Sequence, residues 1–284
     1  MQTISTQYGD LIPQYTDDDL RKREILPVEY HPSGALKAVP LETQTIIATP
    51  AGDIPAELIS FHENGTISRI FPLNGKLSGY WSQEDEAGLA ELLTLTTPFG
   101  LVRARILSVS FHDNRVMRSL TLWPGETVSV PTPAGPVETR IGVSFTREGK
   151  VASLEPAKPL SVPTPAGEMT VFDPDAVGVN GDRNSLVFDE DGKVTQAVTT
   201  LTRLTVVHPD GHHESFIPEY RESLCGDSDK EVVPMTVCFG KKEVSIRTNP
   251  DSAATVLPRV GHVFFAEPYL PQLASPFGEI RCSI

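Results

Sequence analysis

Stretches of alternating hydrophobic and polar residues run through most of the chain and end at turns rich in Gly, Pro and Asn. The clearest example covers residues 105–131, where RILSVSF, VMRSLTL and TVSVP are separated by His-Asp-Asn-Arg and Trp-Pro-Gly-Glu turns. An alternation with a period of two, bounded by turn residues, is typical of β-strands. The pattern therefore predicts three consecutive strands, over 105–111, 116–122 and 127–131.

This arrangement repeats along the chain. A Thr-Pro-x-Gly motif occurs four times, and an aromatic residue closes the strand that follows each copy. The motifs begin at Thr49, Thr97, Thr132 and Thr164, and the aromatic residues are Phe61, Phe111, Phe145 and Phe188. Pro at the second position and Gly at the fourth suit a hairpin turn that reverses the chain. We therefore predict an all-β fold, an elongated antiparallel β-meander of repeated hairpins, with a β-solenoid as the alternative.

Two departures from the repeat spacing predict insertions. The distance from Phe61 to Thr97 is 36 residues, against 19 from Tyr30 to Thr49, and the excess falls around 78–93. There, Ser82 is followed by acidic residues and three leucines, which predicts one short capped helix. The second insertion covers 173–184. Insertions in repeat proteins often carry binding, so both segments are candidates for function.

The repeat pattern weakens after Phe188, and residues 208–229 are polar and irregular. Repeat arrays need distinct ends, because an open sheet edge invites pairing with other chains. We therefore expect an N-terminal extension over 1–27, a β-hairpin repeat array over 28–207 and a C-terminal cap or small β module over 208–284.

The segment FHENGTISRIFPLNGKLSGYW, residues 61–81, resembles the MORN-variant repeats of bacterial proteins. The shared elements are an aromatic residue followed by Asn-Gly at 64–65, then Asn-Gly-Lys-Leu at 74–77 and Gly79 before another aromatic residue. Arg115 stands where the other copies have Gly, and the Thr-Pro-x-Gly turns are not part of the family pattern. The resemblance implies an array of hairpins that commonly serves as a binding or scaffolding surface, and it implies no catalytic residues.

The 284-residue chain carries a net charge of −13, and its only short basic run, at 21–23, is flanked by acidic residues. Such a surface repels phosphates and anionic lipid headgroups, so neither nucleic acid nor a membrane is expected as a partner. The N-terminal residues show no signal-peptide pattern. No apolar run approaches the roughly 18 residues of a membrane span. Three cysteines are too few for a disulfide framework. These features favour a cytoplasmic location.

His31, His62 and His112 occupy the same position in three units, directly after the aromatic residue. In a parallel coil they would stack about 4.8 Å apart and form a ladder suited to a metal ion. In a meander they would lie about 14 Å apart and serve as turn residues. Because the corners favour the meander, we expect a structural role. With the histidines in that role, we expect no metal ion. No nucleotide-binding motif is present, so we expect no cofactor.

Acidic and aromatic residues near the two insertions form the predicted interaction surface. It comprises Trp81, Glu84, Asp85, Trp123, Glu126, Asp173, Asp175 and Asp182. Tryptophan is a frequent anchor at protein interfaces, although burial of both tryptophans in the core is the alternative. The acidic loop 173–182 faintly resembles a calcium loop, but Val177 breaks the ligand spacing, which favours an Asx-rich surface loop.

These observations favour a cytoplasmic, non-enzymatic repeat protein that acts as an interaction or scaffold module for a protein partner. The alternative is a carbohydrate-binding or hydrolytic enzyme with a groove lined by tryptophan and carboxylates. Glycoside hydrolysis needs two carboxylates at a defined separation, which the sequence does not reveal. The catalytic residues, if any, and the oligomeric state stay open.

Overall fold

The computed structural model describes residues 3–133, 135–178, 181, 184–222 and 230–271. Strands make up 55% of the chain, and the helix at Gln83–Ala87 has five residues, so the fold is all-β as predicted. The strand pairings in the described part of the chain are antiparallel hairpins and meander contacts. The meander prediction is therefore confirmed, and the solenoid alternative is wrong.

The described residues form two compact units. Met1–Leu154 and Val177–Asn184 belong to the first unit, and Glu155–Ala176 and Ser185–Ile284 belong to the second. The boundary expected between residues 207 and 208 falls within the second unit, at a hairpin turn.

The first unit has a central antiparallel sheet with shorter hairpins beside it. Its elements are β1 (Ile4–Thr6), β2 (Gly9–Leu11), β3 (Glu29–Tyr30), β4 (Leu36–Thr49), β5 (Gly52–Phe61), β6 (Ile67–Phe71), α1 (Gln83–Ala87), β7 (Leu93–Thr97), β8 (Gly100–Ala104), β9 (Ile106–Phe111), β10 (Met117–Leu122), β11 (Thr127–Thr132), β12 (Gly135–Phe145) and β13 (Val151–Pro156). In the central sheet the order is β3-β4-β5-β6-β9-β10-β12-β13, and β11 pairs with β12. β1 pairs with β2 and β7 with β8. The three strands predicted between 105 and 131 are β9, β10 and β11.

The second unit contains twelve strands in its described residues. They are β14 (Leu160–Thr164), β15 (Gly167–Val171), β16 (Leu186–Phe188), β17 (Val194–Thr199), β18 (Thr202–Val207), β19 (His213–Phe216), β20 (Glu219–Glu222), β21 (Lys230–Val233), β22 (Met235–Phe239), β23 (Glu243–Arg247), β24 (Thr255–Pro258) and β25 (Val263–Pro268). The order β16-β17-β22-β23-β24 makes one sheet, and β18 lies between β19 and β25. β14 pairs with β15, and β20 with β21.

The four Thr-Pro-x-Gly motifs form four equivalent corners. In each corner the Thr pairs with the Gly across the hairpin, and the Thr hydroxyl donates a hydrogen bond of 2.7 Å to the Gly carbonyl oxygen. The Gly φ angles lie between 105° and 123°, in the region that only glycine adopts without strain. The prediction that these corners reverse the chain is confirmed.

A second type of corner follows each closing aromatic residue. After Tyr30, Phe61 and Phe111 a histidine begins the turn, and its ring Nε2 lies 2.9–3.0 Å from the carbonyl oxygen of the aromatic residue that closes the next unit. These contacts join His31 to Phe61, His62 to Phe111 and His112 to Phe145. Because a carbonyl oxygen only accepts, Nε2 carries the proton and donates it. The three histidines therefore fasten successive turns together, which is the structural role expected for them.

The cross-strand register divides the central sheet of the first unit into an aliphatic face and a polar face. One row on the aliphatic face consists of Val39, Ile59, Ile70, Val109, Leu120 and Val143, all with 0% exposure. The residues beside them along each strand point to the opposite face, because side chains alternate. That opposite row, the serine row, consists of Ser60, Arg69, Ser110, Ser119, Ser144 and Ser153.

The repeat extends further than the sequence pattern indicates. The His208 amide donates to the His212 carbonyl oxygen at 2.8 Å, and Gly211 has a φ of 83°, as in the earlier histidine turns. The expectation that 208–229 is irregular is therefore wrong for its first part, which forms this turn and strands β19 and β20. These strands are mostly exposed, so their hydrophobic alternation is too weak to reveal them.

Candidate functional site

The first insertion contains α1, and its beginning is fixed by a capping box. The Ser82 hydroxyl accepts a hydrogen bond from the Asp85 amide, and the Asp85 carboxylate accepts one from the Ser82 amide. Three acidic residues lie in the first turn, where the amide groups favour negative charge. Hydrogen bonds from Ser82 lower the pKa of Asp85 below its ordinary value. The helix predicted within 78–93 therefore exists, but it is only five residues long.

A buried ionic cluster, the Arg21 anchor, holds this short helix in place. The Arg21 guanidinium donates two hydrogen bonds to Glu57 of β5, at 2.7 and 2.9 Å, and two to Glu86 of α1, at 3.0 and 2.5 Å. The three residues are between 4% and 8% exposed. The guanidinium geometry suits such paired carboxylate contacts. Arg21 thus joins the N-terminal segment, the central sheet and the insertion.

Further donors satisfy the two carboxylates of the anchor. Glu86 accepts hydrogen bonds from the Trp81 indole at 2.5 Å and from the Gly75 amide at 3.1 Å. Glu57 accepts one from the Asn74 amide at 2.7 Å. Burial would raise the pKa of Glu86, but the hydrogen bonds from Arg21 and Trp81 outweigh it, and the pKa lies below its ordinary value. The Glu86 carboxylate is therefore held as an anion.

Three residues of the predicted interaction surface meet beside α1. Glu84 of α1 and the turn residues Trp123 and Glu126 line one shallow depression of about 440 Å³, which we call the α1 depression. Its other lining residues are Gln83, Ala87, Gly88, Arg105 and Pro124. The turn at 123–126 has its glycine at the third position with a φ of 88°, as a type II turn requires.

Arg105 ties the two sides of the α1 depression together. Its guanidinium lies 3.1 Å from a Glu126 carboxylate oxygen and donates to the carbonyl oxygen of Ala90, just after α1, at 3.3 Å. Trp123 is only 7% exposed, so its ring packs into the core and presents little more than an edge. The depression is therefore lined by a largely buried tryptophan and by the charged residues Glu84, Arg105 and Glu126.

The two remaining first-insertion residues lie outside the lining of this depression. Trp81 is half-buried, and its indole N–H is already donated to the anchor. Asp85 is exposed, but its carboxylate is occupied by the capping box. Their roles in the structure are to hold Glu86 and to begin α1.

The second insertion is divided between the two units. In the first unit, the Gly181 amide donates to the Thr121 hydroxyl at 2.9 Å, and the Asn184 side-chain amide donates to Ser153 of the serine row at 2.7 Å. A Cβ on Gly142 would lie 2.4 Å from the Gly181 Cα. Gly181 and Asn184 therefore pack directly against the polar face of the sheet.

In the second unit, the insertion contributes Asp173 and Asp175. The Asp175 amide donates to the Asp173 carboxylate at 2.9 Å, which forms the expected Asx turn. The Asp175 carboxylate pairs with Arg221 at 2.9 Å. Asp182, the last residue of the predicted surface, lies outside the described residues.

Sequence reasoning missed the most buried charged group of this region, the Arg21 anchor. One signal points to it. Glu57 interrupts the apolar strand IPAELISF, and a lone charge in a buried strand needs an opposite charge. Glu57 and Glu86 lie 36 and 65 residues from Arg21 in the sequence, so the cluster leaves no local pattern.

Within the described ranges, no group of three His, Cys, Asp or Glu side chains is arranged to hold a metal ion. Nor does that part of the chain contain a helix long and apolar enough to cross a membrane. Comparison with protein-family models, curated proteins and solved structures gives no match. The geometry of the site is therefore what bears on the function of this protein.

Proposed function

We propose that this protein is a cytoplasmic, non-enzymatic interaction module that binds a protein partner through the α1 depression. The observation that carries the proposal is the convergence of Glu84, Trp123 and Glu126 on one depression. The Arg21 anchor supports it, because a fixed surface loses little conformational freedom on binding. The resemblance of 61–81 to MORN-variant repeats, which commonly scaffold other proteins, is consistent with this role.

The surface around α1 suits a segment that is both basic and apolar. Glu84, Asp85 and Glu91 are exposed acids, and Leu89 and Leu92 are each 44% exposed. Exposed leucines beside carboxylates favour a partner that supplies aliphatic anchors with Lys or Arg between them. The net charge of −13 would speed its approach at low ionic strength.

Site-specific photo-crosslinking tests the proposal. A benzophenone amino acid replaces Gln83 in the depression or, as a control, the exposed Lys241 in the second unit, and each protein is irradiated in native lysate. We expect a discrete adduct from position 83 only. Glu84→Lys should abolish it, whereas Glu63→Lys, the same charge change at an exposed turn of the same unit, should not. Equal adducts from both positions, or an adduct insensitive to Glu84→Lys, would contradict the proposal.

The depression also provides the feature that favours the alternative, since it places a tryptophan near two carboxylates. Carbohydrate binding needs an exposed aromatic face, however, and Trp123 is 7% exposed. Saturable binding of a soluble oligosaccharide, lost in Glu84→Gln and Glu126→Gln together, would favour the alternative over the interaction module.

A further inference from the structure

A second concave site lies in the second unit and is independent of the α1 depression. It has a volume of about 440 Å³ and is lined by Arg203, Tyr220, Lys230, Pro268, Tyr269 and Leu270. We call it the tyrosine pocket. β18 supplies Arg203, the β20–β21 hairpin supplies Tyr220 and Lys230, and the other residues come from the end of β25 and the chain just after it. Among the residues that the structure describes, no acidic side chain lines the pocket, although acids outnumber bases by 37 to 24 in the chain.

Both cations of the pocket lack a carboxylate partner among the described residues. Arg203 faces Glu267 in the strand register, but Glu267 accepts a hydrogen bond from Thr205 at 3.1 Å instead. Arg221, next to Tyr220 on β20, differs, because its guanidinium pairs with both Asp175 and Glu231. Neighbouring residues of a strand point to opposite faces, so Arg221 and Tyr220 face different sides. The paired arginine is thus directed away from the pocket, whereas Arg203 and Lys230 line it.

The tyrosines hold the pocket together and add hydroxyl groups. The Tyr220 and Tyr269 hydroxyl oxygens are 3.0 Å apart, and the Tyr269 amide donates to the Leu201 carbonyl oxygen at 2.9 Å. The Arg203 guanidinium carbon lies 5.9 Å from the centre of the Tyr269 ring, within the range of a cation–π contact. The hydrogen bond with Tyr220 and, to a lesser extent, burial raise the pKa of Tyr269, so its hydroxyl stays protonated near neutral pH.

We propose that the tyrosine pocket binds the phosphate or carboxylate group of a small molecule. A guanidinium, an ammonium and a phenol hydroxyl are the donors that recognise compact oxyanions. Pro268 and Leu270, which is 84% exposed, would contact an apolar part of the same ligand. The overall negative charge of the protein repels anions, so only a local arrangement of donors retains one.

Isothermal titration calorimetry at low ionic strength tests this proposal with inorganic phosphate, phenyl phosphate, benzoate and, as a neutral control, phenol. We expect saturable binding of phenyl phosphate or benzoate, weaker binding of inorganic phosphate and none of phenol. Arg203→Gln and Lys230→Gln should each weaken binding by about tenfold or more, as expected for a charge-assisted hydrogen bond. Lys241→Gln removes the same charge from an exposed position of the same unit outside the pocket, and it should leave affinity unchanged.

Tyr269→Phe keeps the ring beside Arg203 and removes only the hydroxyl, so it separates recognition from folding. We expect it to weaken binding with an unchanged circular dichroism spectrum. The proposal is overturned if no anion binds saturably, or if Lys241→Gln weakens binding as much as Lys230→Gln. Binding confined to phosphatidylserine vesicles, with none of the soluble anions, would equally overturn it in favour of a lipid headgroup.

Discussion

The insertion at 78–93 and the segment 177–184 both interrupt the repeat of the first unit, but they contact the central sheet in different ways. The first is joined to it by charge, through Arg21, Glu57 and Glu86, and leaves Glu84 exposed. In the second, Gly181 is buried over Thr121 and its backbone lies against the backbone of the sheet. An ionic anchor at one point leaves the rest of an insertion free to present a surface. Close backbone contact makes the insertion part of the core.

Of the substitutions that test this difference, removal of Arg21 should lower the free energy of unfolding the most. Arg21→Met leaves Glu86 buried without its counter-charge and leaves Glu57 with only the Arg23 guanidinium, 3.7 Å away, so we expect the free energy of unfolding to fall by about 3–5 kcal/mol. Lys76→Met, which breaks an exposed ion pair with Glu24, should cost no more than about 1 kcal/mol. Urea unfolding followed by circular dichroism measures both. A loss below about 1 kcal/mol in Arg21→Met would show that the anchor does not hold the insertion.

Adding a methyl group at Gly181 should cause the next largest loss of stability. The Cβ of Gly181→Ala would lie 2.7 Å from the Leu120 carbonyl oxygen, so the segment must lift from the sheet. We expect a loss of about 1–3 kcal/mol, which is typical of overpacking. In the first insertion, Gly79→Ala meets no atom within 4 Å and is the matched control. If both substitutions were neutral, the backbone contact would not be the constraint described here.

Acid should weaken the anchored insertion selectively. Because the pKa of Glu86 is lowered in the folded protein, its contribution to stability is complete above the ordinary value of 4.5 and is lost as the pH falls through the lowered pKa. We expect Glu86→Gln to be less stable than wild type at neutral pH and to lose less stability on acidification. Urea unfolding at several pH values below neutrality tests this, and parallel pH profiles would argue against it.

A substitution on the exposed surface of α1 should change the free energy of unfolding the least. Glu84 is exposed in α1 and forms no part of the anchor. Glu84→Lys should therefore change the free energy of unfolding by no more than about 0.5 kcal/mol, apart from a slight penalty for a cation in the first helical turn. Thermal unfolding checks this. A large loss of stability would show that Glu84 supports the fold, and it would weaken the proposed role of Glu84 in binding.

Elements with local signals could be predicted from the sequence. The four Thr-Pro-x-Gly corners depend on a proline and a glycine two residues apart, and the Ser82 capping box depends on Asp85 three residues later. The turn at 123–126 is specified in the same way. In each case the residues that determine the conformation are adjacent to it in the chain, so pattern and geometry agree.

Contacts between distant residues could not be predicted in this way. Arg21 lies in a short charged run that looks solvated in the sequence, yet it is 8% exposed because Glu57 and Glu86 reach it from other elements. Trp123 follows a strand and is the first residue of a turn, and only the packing decides that its ring is buried. The tyrosine pocket draws on residues 203–270, and no spacing rule connects them.

Both tryptophans of the protein, Trp81 and Trp123, belong to the first unit. Tryptophan fluorescence, excited at wavelengths where tyrosine does not absorb, therefore reports on that unit alone. The second unit does not contribute to this signal. The Trp81 indole N–H donates a hydrogen bond to the buried Glu86 carboxylate, and a charged group next to the indole shifts the emission maximum of tryptophan. A change in emission that precedes the loss of strand signal would thus separate the opening of the helix-bearing insertion from the melting of the sheets.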